Sequence, residues 1–124
     1  MKRTKATDGS GAPCPPDEHS TRPSQRVPSD RALHAVAVMF GAAGDRDRLR
    51  LLVELVAGPR TVVALAAAVG KPRSRVSQQL RVLRIGRLVR GVRRGRFVFY
   101  ELVGPHAQRM LASTLAHARH VQRR

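Results

Sequence analysis

Apolar positions fall into periodic order only after residue 28. From Ser29 the spacing predicts a helix running to about Phe40 or Ala43, with Ser29 as its N-cap and Asp30 at its positive end. Gly44 interrupts it. Leu49, Leu52, Val53 and Val56 continue a second helix that stops at Gly58-Pro59. Thr61 caps a short third helix in which Val62, Leu65, Ala66 and Val69 keep helical spacing, and Gly70 ends it. Pro72 suits the first position of a fourth helix, where its missing N–H removes no bond, and there Val76, Leu80 and Leu83 form one apolar stripe. After Gly86 the period changes to two. Leu88 to Val92 and Phe97 to Leu102 are expected as strands joined by a turn of Arg93, Arg94, Gly95 and Arg96, with Val98, Tyr100 and Leu102 facing inward. Pro105 opens a last helix carrying Met110, Leu111, Leu115 and Val121.

Composition divides the chain in two. Residues 1–28 hold Pro13, Pro15, Pro16, Pro23 and Pro28 among Ser, Thr, Gly and scattered charges, too little apolar surface to offset the entropy of ordering, so a disordered N-terminal arm is expected. Residues 29–124 form one domain, whose core must come from Leu, Val and Ala because there are only three Phe, one Tyr and no Trp. Small helical domains of this kind often bury further apolar surface in a partner subunit. No run reaches the ~18 apolar residues of a membrane span, and the first residues lack the apolar segment of a secretion signal. With Cys14 alone there is no intrachain disulfide, and a cytoplasmic location is expected.

Charge narrows the partner. The chain carries a formal +16, and between Glu54 and Glu101 eleven Lys and Arg occur with no acidic residue. On charge alone, nucleic acid, an anionic membrane and an acidic protein all fit. Patterning distinguishes them. Opposite the stripe of the fourth helix lie Ser74, Ser77, Gln78 and Arg81, with Arg73 and Arg75 in its first turn. A major-groove reader needs such a helix: the stripe docks it, and the polar face offers hydrogen-bonding groups to base edges and phosphates. Mere solvation is the alternative, but a solvated helix face usually mixes in Glu or Asp. The turn with Arg93, Arg94 and Arg96 is a natural contact for phosphates or the minor groove.

Helix, tight turn, helix and basic hairpin give a mainly α fold, a winged helix-turn-helix of about five helices plus a two-stranded hairpin. Over about residues 30–121 the chain resembles the ArsR/SmtB family of bacterial repressors. The likeness lies in the ordered set of Ser77-Gln78-Gln79-Leu80 on the reader helix, the exit Gly86-Arg87-Leu88-Val89, and the wing Gly95-Arg96-Phe97-Val98-Phe99-Tyr100. It implies a homodimer, a palindromic operator in double-stranded DNA near a transport or resistance gene, and release of DNA when an effector binds.

His106, His117 and His120 lie on the last helix. The latter two are three residues apart and share a face. His106 is eleven residues from His117, about 16 Å at ~1.5 Å per residue, so one helix cannot gather all three on an ion with bonds of ~2.0–2.1 Å. Two antiparallel copies across a two-fold axis would create two symmetric sites, each from His106 of one subunit and the other two histidines of its mate. This spacing is similar to the interfacial metal motif of the zinc- and cobalt-sensing branch of the family, D-x-H-x10-H-x-x-H/E. The aspartate position is Gly104 here, so three imidazoles would complete their shell with water or another donor, Cys14, Asp17 and His19 of the arm being candidates. The family's other zinc site needs cysteine and acidic ligands on the third helix, and Val62 to Val69 has none. Otherwise these histidines are ordinary polar residues of a dimer helix, and His34 belongs to the core or interface.

The expected function is sequence-specific repression, with zinc, cobalt or nickel as effector, no membrane partner and no small-molecule substrate. The alternatives are a winged-helix repressor without metal response and a non-specific architectural DNA-binding protein. Nothing supports an enzyme: no carboxylate pair, no Cys/His or Ser/His/Asp set and no phosphate-binding glycine loop occurs.

Overall fold

A computed structural model of the protein describes residues 27–123, so the expected arm, with Cys14, Asp17 and His19, lies outside the described residues up to residue 26. By contacts the chain divides into Met1–Arg31 and Ala32–Arg124, and the second unit carries the fold. The elements are α1 (Asp30–Ala43), whose first two residues precede Ala32, α2 (Arg46–Val56), α3 (Val62–Val69), α4 (Arg73–Ile85), β1 (Val89–Arg94), β2 (Phe97–Leu102) and α5 (Gly104–Gln122). Among the described residues no helix is long and apolar enough to cross a membrane.

Short-range chemistry sets most boundaries. The Asp45 side chain accepts from the Arg48 N–H at 3.1 Å and starts α2, and Thr61 does the same for α3 through Ala64 at 3.2 Å. Gly70, at φ 68°, closes α3 in the left-handed conformation. Pro72 stands one place earlier than its spacing predicts. It is the N-cap of α4, extended at ψ 147°, and its carbonyl accepts from Val76 N–H at 3.1 Å. The exit from α4 is a Schellman turn, with Leu88 N–H to Leu83 O at 3.0 Å and Arg87 N–H to Arg84 O at 2.9 Å, and the left-handed position falls on Arg87 at φ 60°.

The core holds Leu51, Leu52 and Leu55 of α2, Leu65 and Ala66 of α3, Val76, Leu80 and Leu83 of α4, Leu88 and Val89, and Leu111 of α5. The stripe of α4 is as its period predicts. In α2 it is not: Leu49, Val53 and Val56 are exposed, and Leu51 and Leu55 take the inward places beside Leu52. The nearly unbroken run LLVELV offers two overlapping faces, and packing against α3 and α4 selects one. From α1 only Ala42 is buried, while Leu33, Val36, Val38 and Phe40 are exposed. His34 is exposed as well, outside the core of the chain.

β1 and β2 pair antiparallel from Val89 opposite Leu102 to Arg94 opposite Phe97. Strand β1 therefore includes Arg93 and Arg94, expected in the turn, and the loop shortens to Gly95 and Arg96. Gly95 at φ 63° followed by a residue without positive φ is the pattern of a type II′ hairpin, whose twist matches the strands. Tyr100 and Leu102 pack on the core, but Val98, nearer the loop and opposite Arg93, is exposed, since the core reaches only the inner part of β2. Arg60 adds a third partner: its N–H and C=O exchange bonds of 3.0 and 2.7 Å with Tyr100 and hold the inner end of the wing.

Candidate nucleic-acid interface

With Val76, Leu80 and Leu83 buried, α4 has one orientation left for its polar side chains. At 100° per residue, Ser74, Gln78 and Arg81 lie within about 50° of the direction opposite the stripe. These three, with Arg73, Arg75 and Ser77, are all exposed. Gln79, about 60° from the stripe, turns inward and accepts from Arg48 Nη1 at 3.0 Å. Neighbouring glutamines thus have opposite tasks: Gln78 is free to meet a ligand, and Gln79 anchors the helix.

Arg48 is a residue that the spacing of the chain did not single out. Its Nε donates to Ala42 O at 2.6 Å and its Nη2 to Gly41 O at 3.4 Å, so one guanidinium satisfies carbonyls at the end of α1 and grips α4 as well. Helix α1 has no basic residue in its own last turn, and Arg48 supplies the positive charge its negative end lacks.

The wing carries the second group of charges. Arg93, Arg94 and Arg96 are exposed at its outer end, and the Arg94 guanidinium rests 5.4 Å from the centre of the Phe99 ring. That contact orients the cation without neutralising it. Nearer the body Arg90 pairs with Glu101 directly across the strands at 2.7 Å. Arg75 meets Asp47 at 3.4 Å and Arg60 meets Glu54 at 3.4 Å, whereas Arg73, Arg81, Arg93, Arg94 and Arg96 have no carboxylate within ion-pair distance among the described residues. Because the Arg75 pair is exposed, it is worth little and does not remove that side chain from a phosphate.

On α5, Ala107 and Leu111 are buried, and His106, His117 and His120 are exposed. At 100° per residue the three histidines fall within an arc of about 60°, so they share one face although His106 is far along the axis. Within one chain, no group of three His, Cys, Asp or Glu that could hold an ion forms among the described residues. The donor set and the common face fit a divalent transition metal only if a second copy of the helix lies alongside. Gly104 has φ 71°, a conformation disfavoured for a side-chain-bearing residue, so the backbone as well as the composition departs from the aspartate of the motif.

A docked reader helix with an exposed polar face and a basic two-stranded wing define a winged helix-turn-helix DNA-binding protein. The chain belongs to the ArsR family of bacterial regulatory proteins: residues 45–90 match the family described as "Bacterial regulatory protein, arsR family". It is 39% identical over 104 residues to the HTH-type transcriptional regulator NmtR of Mycobacterium tuberculosis (strain ATCC 25618 / H37Rv), spanning 84% of this chain and 86% of that protein. Among solved structures it is similar to the homodimeric winged helix-turn-helix domain (fragment 1–100) of Mb0332 from Mycobacterium bovis, described as a possible ArsR-family transcriptional regulator. The TM-score is 0.69 at 32% identity, over 77% of this chain and 91% of that one. The antimony-specific transcriptional repressor AntR is similar at TM-score 0.70 and 31% identity, over 84% and 95%.

Proposed function

We propose that the protein is a homodimeric repressor that binds a two-fold operator in double-stranded DNA and leaves it when a divalent transition metal binds between the two copies of α5. The observation that carries the DNA half is the exposed set Arg73, Ser74, Arg75, Ser77, Gln78 and Arg81 on a helix locked by its opposite stripe, with Arg93, Arg94 and Arg96 exposed on the wing. Gln78, Ser74 and Ser77 would meet base edges, and the arginines phosphates. Dimerisation is supported by the apolar side chains of α1 that the chain leaves uncovered, Leu33, Val36 and Phe40, and by the homodimeric state of the Mycobacterium bovis domain.

For the effector, His106 of one protomer would share an ion with His117 of the partner subunit and His120 of the partner subunit. The ion would supply a cross-link between the two α5 helices. If the linked dimer spaces its reader helices differently from the ~34–36 Å that successive major grooves require, metal and DNA weaken each other equally. Imidazole nitrogens must be neutral to coordinate, so metal response is expected to fade as pH falls. The test is His117→Ala: apo DNA binding should stay near wild type while release by zinc, cobalt and nickel is lost. A variant that still leaves DNA on metal addition refutes the α5 site. Affinity for operator over random duplex at one salt concentration, expected at ~10³ or more, separates repression from architectural binding.

A further inference from the structure

The face of α2 that the core leaves over forms part of a built groove. Leu49 and Val53 of α2, Val69 at the end of α3 and Val76 of α4 line a cavity of about 310 Å³. Four cations rim it, Arg46 and Arg50 from α2, Lys71 from the α3–α4 turn and Arg75 from α4, together with the carboxylate of Asp47. Asp47 is engaged by Arg75 at 3.4 Å, and Arg50 pairs with Glu54 at 3.5 Å. Arg46 and Lys71 have no carboxylate within ion-pair distance among the described residues. An apolar floor beside two uncompensated cations asks for a ligand with an apolar body and one negative head.

We propose that this groove binds a small amphiphilic monocarboxylate, with its chain on Leu49, Val53 and Val69 and its carboxylate between Arg46 and Lys71. The volume is at the lower end of the ~300–1,000 Å³ typical of small-molecule pockets and is too small for a protein helix. A bare phosphate would leave the floor in water, and a cationic amphiphile would meet the rim unfavourably. Because Lys71 lies in the turn that leads into α4 and Arg75 of the rim belongs to the DNA-facing set of the reading above, the bound anion would sit beside charge that DNA also uses, and ligand and DNA would weaken each other.

Binding is measured on the full-length protein without DNA, so a failure of the repressor reading leaves the test intact. Octanoate is titrated into ¹⁵N-labelled protein, with octylammonium (same body, opposite head) and acetate (same head, no body) as comparisons. The expected result is saturable shifts at the amides of Leu49, Val53, Val69 and Val76 with octanoate, and binding weaker by about tenfold or more for both comparison ligands. Arg46→Glu and Lys71→Glu should each weaken octanoate by a similar factor. Val53→Trp, at an exposed position that the core does not use, should fill the groove and abolish the shifts. Absence of saturable shifts, equal binding of octylammonium or acetate, or octanoate shifts that survive Val53→Trp each overturn the site.

Discussion

Arg48→Ala is the most informative single change to this fold. The wild-type guanidinium makes three contacts, to Ala42 O at 2.6 Å, Gln79 Oε1 at 3.0 Å and Gly41 O at 3.4 Å. Hydrogen bonds from a charged donor contribute ~1.5–3 kcal/mol each when well formed. The short bond to Ala42 lies near the upper part of that range, the Gly41 contact is long and exposed, and the site is only part-buried, so screening reduces the sum to about 2–3 kcal/mol. The backbone N–H of residue 48 keeps its bond to Asp45, so the N-cap of α2 survives the substitution. Arg48→Lys should recover less than half, because one ammonium cannot span carbonyls on α1 and an amide on α4. Urea unfolding at fixed protein concentration measures both variants, and a double-mutant cycle with Gln79→Ala isolates the α2–α4 link, expected at about 0.5–1 kcal/mol. A loss below ~0.5 kcal/mol for Arg48→Ala, or wild-type behaviour of the lysine variant, would refute the idea that this side chain joins α1 to the reader helix.

Gly86→Ala should cost about 1–3 kcal/mol by overpacking, since an added Cβ would stand 2.5 Å from that of Ala42 while φ of −74° is acceptable to any residue; Ala42→Gly in the same chain should recover much of the loss. Arg87→Gly should gain about 0.5 kcal/mol, the ~1–2 kcal/mol of left-handed strain less the ~0.5–1 kcal/mol of added chain entropy, and a lower denaturation midpoint would contradict the Schellman geometry. Arg94→Ala should weaken binding to every DNA sequence and lower the salt slope by about 1, whereas Gln78→Ala should relax preference at one base position; equal losses on operator and random duplex for both would point to non-specific binding.

Helix starts and stops and the hairpin turn were largely legible along the chain, because Thr61, Gly70, Gly86 and Gly95 act on neighbours a few residues away. The docked stripe of α4 was legible too, since Val76, Leu80 and Leu83 recur at i, i+4 and i+7, while Val82 and Ile85 fall off that stripe and are exposed. The orientation of α2 was not: Leu49, Leu51, Leu52, Val53, Leu55 and Val56 satisfy helical period on more than one side, and the choice comes from α3 and α4. The same ambiguity hid the groove, which uses Leu49 and Val53, two of the three apolar residues of α2 turned outward. Arg93 and Arg94 shifted from turn to strand for a related reason, as the two-residue loop is favoured by pairing along the full hairpin.

Residue order alone therefore determines the elements, their succession and the two basic surfaces, all products of interactions within one or two helical turns. The link from Arg48 to Gln79, the bridge from Arg60 to Tyr100 and the rotation of α2 join positions between about twenty and forty residues apart, for which no local period exists. Such contacts are settled when the apolar faces are buried together, because each long polar side chain must then find the carbonyl or amide that packing has brought within reach.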